Sequence, residues 1–368
     1  MPRPLPAELV LAIPLLVADS DAYRETLQAF CACSLVSRSF CAIAQPLLWR
    51  VVAVGSAEQA TAIEEAMRTG RGMALATHTR VVELAGMCGI DLDQGLRLLR
   101  RFRRLEKVHV HRFEDELDLA ELERFPALTS LNIQYINVSD LPFTLSPLLE
   151  LSITFVGMPP VASTAFFAPN TFPSLKALSI SDLADHDEKL SYCPTLSEAF
   201  LGQLDILQVS GIKPSSVPLS AYADRVPLLY TLSPNEVAMN LIALQADCPS
   251  HLRVTLSDEY EEIAGAVEVL LTDLEYFLFE APRPLRSVHL PDFLREADRS
   301  QHMVMVLDKI LRACNAQNID VLWHMVEPDE DEEREISPEF WAYVKGLQAA
   351  KLSEGEAEEL GEGTAEEL

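Results

Sequence analysis

The chain lacks the motifs that build common active sites. No Cys-x-x-Cys pair, phosphate-binding loop, dinucleotide fingerprint, nucleophile elbow or zinc-hydrolase motif occurs in its 368 residues. Zinc-ribbon, thiol-redox, nucleotide-binding and the usual hydrolase chemistries therefore have no footing in the sequence. No apolar run reaches the roughly 20 residues that cross a bilayer. Basic residues are scarce, with 29 Lys and Arg against 56 Asp and Glu, a formal net charge of −27. A field of that sign repels phosphate backbones and anionic lipid. Neither nucleic acid nor a membrane is an expected partner. The seven cysteines (Cys31, Cys33, Cys41, Cys88, Cys193, Cys248 and Cys314) are odd in number and scattered. They read as reduced thiols of a cytoplasmic or nuclear protein. The stretch from Leu9 to Ala18 has the look of a secretory signal. Glu8 interrupts it, prolines stand at 2, 4, 6 and 14, and no small-x-small cleavage site follows.

What is present is a folded composition, 49% hydrophobic and 23% charged. The length suits two or three units or a stacked repeat. The acidic excess is uneven: residues 327–368 hold 15 acidic and 3 basic side chains. Residues 1–50 are apolar but too few for a core of their own, so they are expected to dock on something. Helical spacing of Leu9, Ile13 and Leu16, then of residues 22–35 and 37–45, predicts three short helices. Pro14 should kink the first and Pro46 should end the third.

Comparing the chain with itself decides the rest. Residues 105–110 (Leu-Glu-Lys-Val-His-Val), 128–133, 148–153, 175–180 and 204–209 superpose without gaps, and 285–290 is a sixth copy. Three residues beyond each comes another apolar side chain: Phe113, Ile136, Val156, Leu183, Ile212 and Phe293. The first five copies are spaced 20 to 29 residues apart, the range of leucine-rich repeats. Weaker copies start near Val81, Leu229, Leu252 and Ile319. One strand with one helix cannot bury its own apolar face, but stacked neighbours share a continuous core. The fold class is α/β: an irregular solenoid over 51–326 of short parallel strands with outer helices. Helices are expected over 57–67 (Ser56 capping, Gly70 and Gly72 ending it), 114–124, 234–246 (Ser233 capping, with Glu236 completing a capping box), 259–279 and 299–316. An acidic linker over 327–336 and a helix over 337–351 with Phe340, Trp341, Tyr343, Val344 and Leu347 follow. Residues 352–368 read as a disordered acidic tail.

Between the inward leucines, alternate side chains should line a polar concave face. Lys107, His109, His111, Asn132 and Gln134 are the first candidates for binding a client. Ser130, Glu150, Ser152, Thr154, Ser179, Ser181, Gln208, Ser210 and His289 continue the lining. Such small, mixed polar groups suit a protein or peptide surface, not a catalytic pocket. His109 and His111 share a face, yet Asn132 stands where a third metal ligand would be needed. No metal, cofactor or catalytic residue is expected. Arg97, Arg100, Arg101 and Arg104 recur at spacings that put them on one helical face. That cluster could grip an acidic or phosphorylated segment, or simply be a solvated helix end.

The N-terminal strings Leu5-Pro6-x-Glu8-Leu9-x-x-x-Ile13 and Cys33-Ser-Leu-Val-Ser-Arg-x-Phe40-x-x-Ile43-Ala44-x-Pro46-Leu-Leu-Trp49 resemble the F-box of fungal F-box/leucine-rich-repeat proteins. The resemblance implies a three-helix F-box over 1–50. It implies a Skp-type adaptor of a cullin–RING ubiquitin ligase as partner, with the repeats selecting a client. Leu5, Pro6, Leu9, Leu35, Val36 and Phe40 would contact the adaptor or shape that contact. Ile13, Ile43, Leu48 and Trp49 would pack the small core. The chain would then be a non-catalytic substrate receptor. The alternative is a repeat scaffold without a ligase, whose N-terminal helices only cap the stack.

Overall fold

The computed structural model describes residues 32, 35, 38–139, 142–154, 156–157, 164–181, 183–184, 191–192, 194–213, 216–232, 241, 243–245, 247–255, 264–279, 285–295, 301–324 and 336–362. The first two expected F-box helices, the helix over 234–246 with its capping box, and the acidic linker over 327–335 lie outside these residues or almost so. The chain forms two compact units, Met1–Leu148 and Leu149–Leu368.

The first unit opens with α1 (Arg38–Leu48), which contains Pro46. The expected stop before Pro46 is not observed, because the proline sits in the last turn. There the amides of Trp49 and Arg50 close the helix onto the carbonyls of Gln45 and Leu47, both at 3.1 Å. Strand β1 (Val51–Ser56) leads to α2 (Ala57–Met67), capped by the Ser56 hydroxyl. Gly70 and Gly72 do not merely end that helix. They begin α3 (Gly70–Ala76), whose cap is Thr69 Oγ1 accepting from Gly72 N at 2.9 Å. A Cβ on Gly72 would lie 1.9 Å from the Ala66 carbonyl oxygen, so only glycine lets α3 turn this tightly off α2. Strand β2 (Val81–Cys88), α4 (Leu92–Leu99) and β3 (Lys107–His111) follow.

The helix expected over 114–124 is replaced by β4 (Glu116–Leu117) and one 3-10 turn, Leu119–Leu122. Leu117, Leu119 and Leu122 are all buried, a set no single helical face can present. Asp118 restarts the chain by accepting from Ala120 N at 2.9 Å. Strand β5 (Ser130–Gln134) and β6 (Asn137–Val138), which pairs with β4, complete the unit. Its main sheet runs β1-β2-β3-β5, all parallel.

In the second unit the strands are β7 (Glu150–Thr154), β8 (Ala177–Ser181), a small antiparallel pair β9 (Leu183–Ala184) and β10 (Ser191–Tyr192), β11 (Ile206–Ser210), β12 (Leu228–Leu232), β13 (His251–Val254), β14 (Ser287–Pro291) and β15 (Asp320–His324). The helices are α5 (Glu198–Leu201), α6 (Leu219–Ala223), α7 (Ala264–Phe279), α8 (Gln301–Ala316) and α9 (Pro338–Glu362). The sheet runs β7-β8-β11-β12-β13-β14-β15, all parallel. Helix α9 continues well past the expected stop near Ala350, so its backbone takes in most of the segment read as a disordered tail.

Within each unit every main strand pairs with its neighbours in sequence. Neither sheet has the reversal of strand order at which open α/β folds bind their ligands. The gapless superposition is also the spatial register: Val82 lies opposite Val108 and Val108 opposite Leu131. Leu151, Leu178 and Leu207 likewise stand in one row. These leucines and the Ile or Val two residues on are buried at 0–1% exposure. A second regularity has no side-chain signature. The carbonyl just before a strand accepts from two amides of the next unit: Arg50 from Arg80 and Val81, Arg80 from Glu106 and Lys107, Lys176 from Asp205 and Ile206. Pro227 has no amide to give. There the Ser250 hydroxyl bonds both the Leu228 amide, at 2.9 Å, and the Leu228 carbonyl, at 3.2 Å.

Candidate client-binding face

Strand alternation puts one set of side chains into the core and the other on the opposite face. In the second unit that opposite face carries a row across the sheet: Ser152, Ser179, Gln208, Leu229, His251, Ser287 and Asp320, each paired with the next. The neighbouring row runs Ser181, Ser210, Thr231, Arg253 and His289. Of this face, the sequence predicts Ser152, Thr154, Ser179, Ser181, Gln208, Ser210 and His289 as an exposed polar lining. The structure corrects that: Ser152, Thr154, Ser179, Ser181, Gln208, Ser210 and His289 are all buried.

The chain's own C-terminal helix supplies much of the cover. The backbone amide of Ser337 donates to Gln208 Oε1 at 3.1 Å, and Ser337 Oγ caps the helix by accepting from Phe340 N at 3.3 Å. Phe340 and Val344 are buried against Ala177, Ile206 and Leu229, with Ile336, Trp341 and Tyr343 packed at the margin. The Phe340 ring stands 4.9 Å from that of His251 and 5.5 Å from that of His289. The Tyr343 hydroxyl donates to Asp320 Oδ2 at 2.6 Å.

Beneath the aromatic rings lies a histidine network. His251 Nδ1 is 2.7 Å from Ser287 Oγ, and that oxygen is 3.1 Å from His289 Nε2. Burial, assisted by the Arg286 charge, lowers His251 to about 3. Burial, assisted by Arg253, lowers His324 to about 3. His289 is pushed well below the usual histidine range, first by burial, then by His251, His324 and Arg253. All three are neutral at physiological pH. Such rings pack against aromatics and share hydrogen bonds, but they hold no positive charge for a substrate. Burial raises Cys248 to about 12, with Asp247 adding to it, and Cys314 to about 11. These thiols are protonated and unreactive at neutral pH. Among the described residues no group of His, Cys, Asp and Glu could hold a metal ion.

The first unit is different. Lys107 is exposed, and His109 and His111 are half-buried on β3. Asn132 and Gln134 are buried, at 5% and 7% exposure, and do not offer the open surface expected of them. Arg97, Arg100, Arg101 and Arg104 are exposed but do not share one helical face. Helix α4 ends at Leu99 with Arg100 as its cap, and the chain turns there to bury Phe102 and Leu105. Arg100 Nη2 pairs with Glu121 at 2.8 Å.

Of the predicted adaptor contacts, Leu5, Pro6, Leu9 and Val36 lie outside the described residues. Leu35 is 87% exposed, whereas Phe40 is 5% exposed within this chain. The sequence reading missed His251, Arg253, Asp320 and His324 as part of the face. The available signal was the stripe Phe340, Val344 and Leu347, spaced for one helical face on a tail with no core of its own.

No family model matches the chain, and no curated protein matches it. No helix among the described residues is long and apolar enough to cross a membrane.

Proposed function

We propose that this chain is a non-catalytic substrate receptor of a Skp–cullin–F-box ubiquitin ligase, working in the cytoplasm or nucleus. Its N-terminal helices hold the Skp-type adaptor, and leucine-rich repeats hold the client protein. The observation that carries the reading is the in-register stack of parallel strands in sequence order. Within each unit it builds a sheet surface without a switch-point crevice, and the Leu35 side chain of the N-terminal motif stands in solvent. Ubiquitin transfer falls to other subunits, so the chain needs no catalytic group of its own. A helix presenting apolar side chains is the usual means of binding a partner helix or groove.

The buried Phe40 and Ala44 favour a second reading, a scaffold in which α1 only closes the end of the repeat stack. Capture of a recombinant Skp adaptor by the full chain separates the two. The ligase reading expects capture by the wild type and at least a tenfold weaker interaction in Leu35→Asp, with an unchanged melting temperature because Leu35 is exposed. A wild-type chain that captures no adaptor overturns it in favour of the scaffold.

A further inference from the structure

We infer that the face formed by β8, β11, β12, β13 and β14 is a groove for an amphipathic helix, and that 337–347 holds it in cis as a displaceable stand-in for a client helix. The groove reads a helix in three ways that the resident segment displays. Gln208 Oε1 accepts from the backbone amide of Ser337, the cap residue, and so recognises a helix start whatever its side chains. Ala177, Ile206 and Leu229 receive an aromatic residue and an aliphatic one four positions later. The neutral rings of His251 and His289 flank the aromatic residue. The partner chemistry follows: a helix opening on a small capping residue, with Phe at its third turn position and Val, Leu or Ile one turn on.

Two observations make the resident replaceable rather than permanent. Beyond the capping Ser337, the buried residues of the segment are Phe340 and Val344, while Trp341 and Tyr343 stay half in solvent and Leu347 is 37% exposed. The face also holds more polar chemistry than the resident uses. Ser210 Oγ, Thr231 Oγ1 and His289 Nδ1 are buried with no hydrogen-bond partner among the described residues. A buried donor or acceptor left unmade is costly. A helix bringing polar groups to those atoms gains what the resident does not. The resident's advantage is its tether, which makes its docking an intramolecular event at high effective concentration.

This deepens the client-binding half of the proposed function and makes no use of the adaptor half. The test uses the full chain and a fluorescent synthetic peptide with the sequence of residues 336–350. The double variant Phe340→Asp with Val344→Asp should bind the peptide at least tenfold more tightly than the wild type, whose groove is filled. The same peptide carrying Phe340→Asp should not bind. A folded double variant that ignores the peptide overturns the inference. If the double variant does not fold, hydrogen exchange on the wild-type chain decides. Amides of 341–347 exchanging at least tenfold faster than those of Leu207 and Val209 support release without unfolding, and equal rates overturn it. Adaptor capture and peptide binding read different parts of the chain, so either can fail alone.

Discussion

The two units build the same kind of parallel sheet and hold the histidines on its non-core face in different surroundings. In the first, Lys107 stands in solvent and His109 and His111 are half-buried. In the second, His251, His289 and His324 at similar strand positions are buried at 0–2% exposure, two of them against Phe340. The strand pattern is common to both, so it does not decide the environment of these histidines. What decides it is whether another segment lies on the face. Side chains that keep contact with water, as Lys107, His109 and His111 do, need nothing from a covering helix. A face buried beneath a helix loses stability for each covered polar group that is neither hydrogen-bonded nor neutral. The neutral histidines and the Ser287 bridge meet part of that demand in the second unit, and Ser210 Oγ, Thr231 Oγ1 and His289 Nδ1 leave part of it unmet.

The most demanding challenge to this contrast is acid. A histidine held near 3 in the native chain and near its ordinary value of about 6.5 when unfolded takes up its proton first in the unfolded state. Nothing is lost above that ordinary value. Stability then falls as pH drops from about 6.5 toward 3. At pH 4 the loss approaches about 3 kcal/mol for each of His251 and His324. Urea unfolding at pH 7 and pH 4.5 measures it, with His251→Gln expected to flatten the slope. An unchanged slope in a chain lacking all three histidines would place the acid sensitivity elsewhere.

A narrower change is Ser337→Ala, which removes the hydroxyl that caps α9 but leaves the backbone bond to Gln208. The expected loss is about 1 kcal/mol, the usual worth of a cap. It should appear as faster hydrogen exchange over 340–344 with β11 unaffected. Slower or equal exchange there would mean that the cap does not hold the helix down. The smallest effect belongs to the first unit. Lys107→Ala, at an exposed strand position, should shift stability by no more than about 0.5 kcal/mol. A shift several times larger would show that the face of β3 is covered as well.

The repeat was legible because it is local and periodic. Leu105, Leu128, Leu148, Leu175 and Leu204 mark the approach to each strand, and the spatial pairing of Val108 with Leu131 and of Leu178 with Leu207 follows the same alignment. The cap at Ser56 was equally readable, since it depends on a few neighbouring residues. The failures are of one kind. The segment over 114–124 was read as a helix, yet Leu117, Leu119 and Leu122 are all buried, which one helical face cannot achieve, and the chain forms a short strand and a turn instead. The arginines after Leu99 fit a helical wheel, yet burial of Phe102 and Leu105 turned the chain before the wheel was complete. Tertiary demand overrode local preference in both.

From the order of its residues alone, the chain settled which side chains face into each sheet and in what register the strands lie, because a period of two within a strand and a period of 20 to 29 between strands are properties of the string. Whether the opposite face meets water or a helix was left to the fold. That depends on Ser337 reaching Gln208 across 129 residues, a contact no local pattern encodes. Its cost and benefit exist only once the sheet has formed: Phe340 has somewhere to go because Ala177, Ile206 and Leu229 have been brought together.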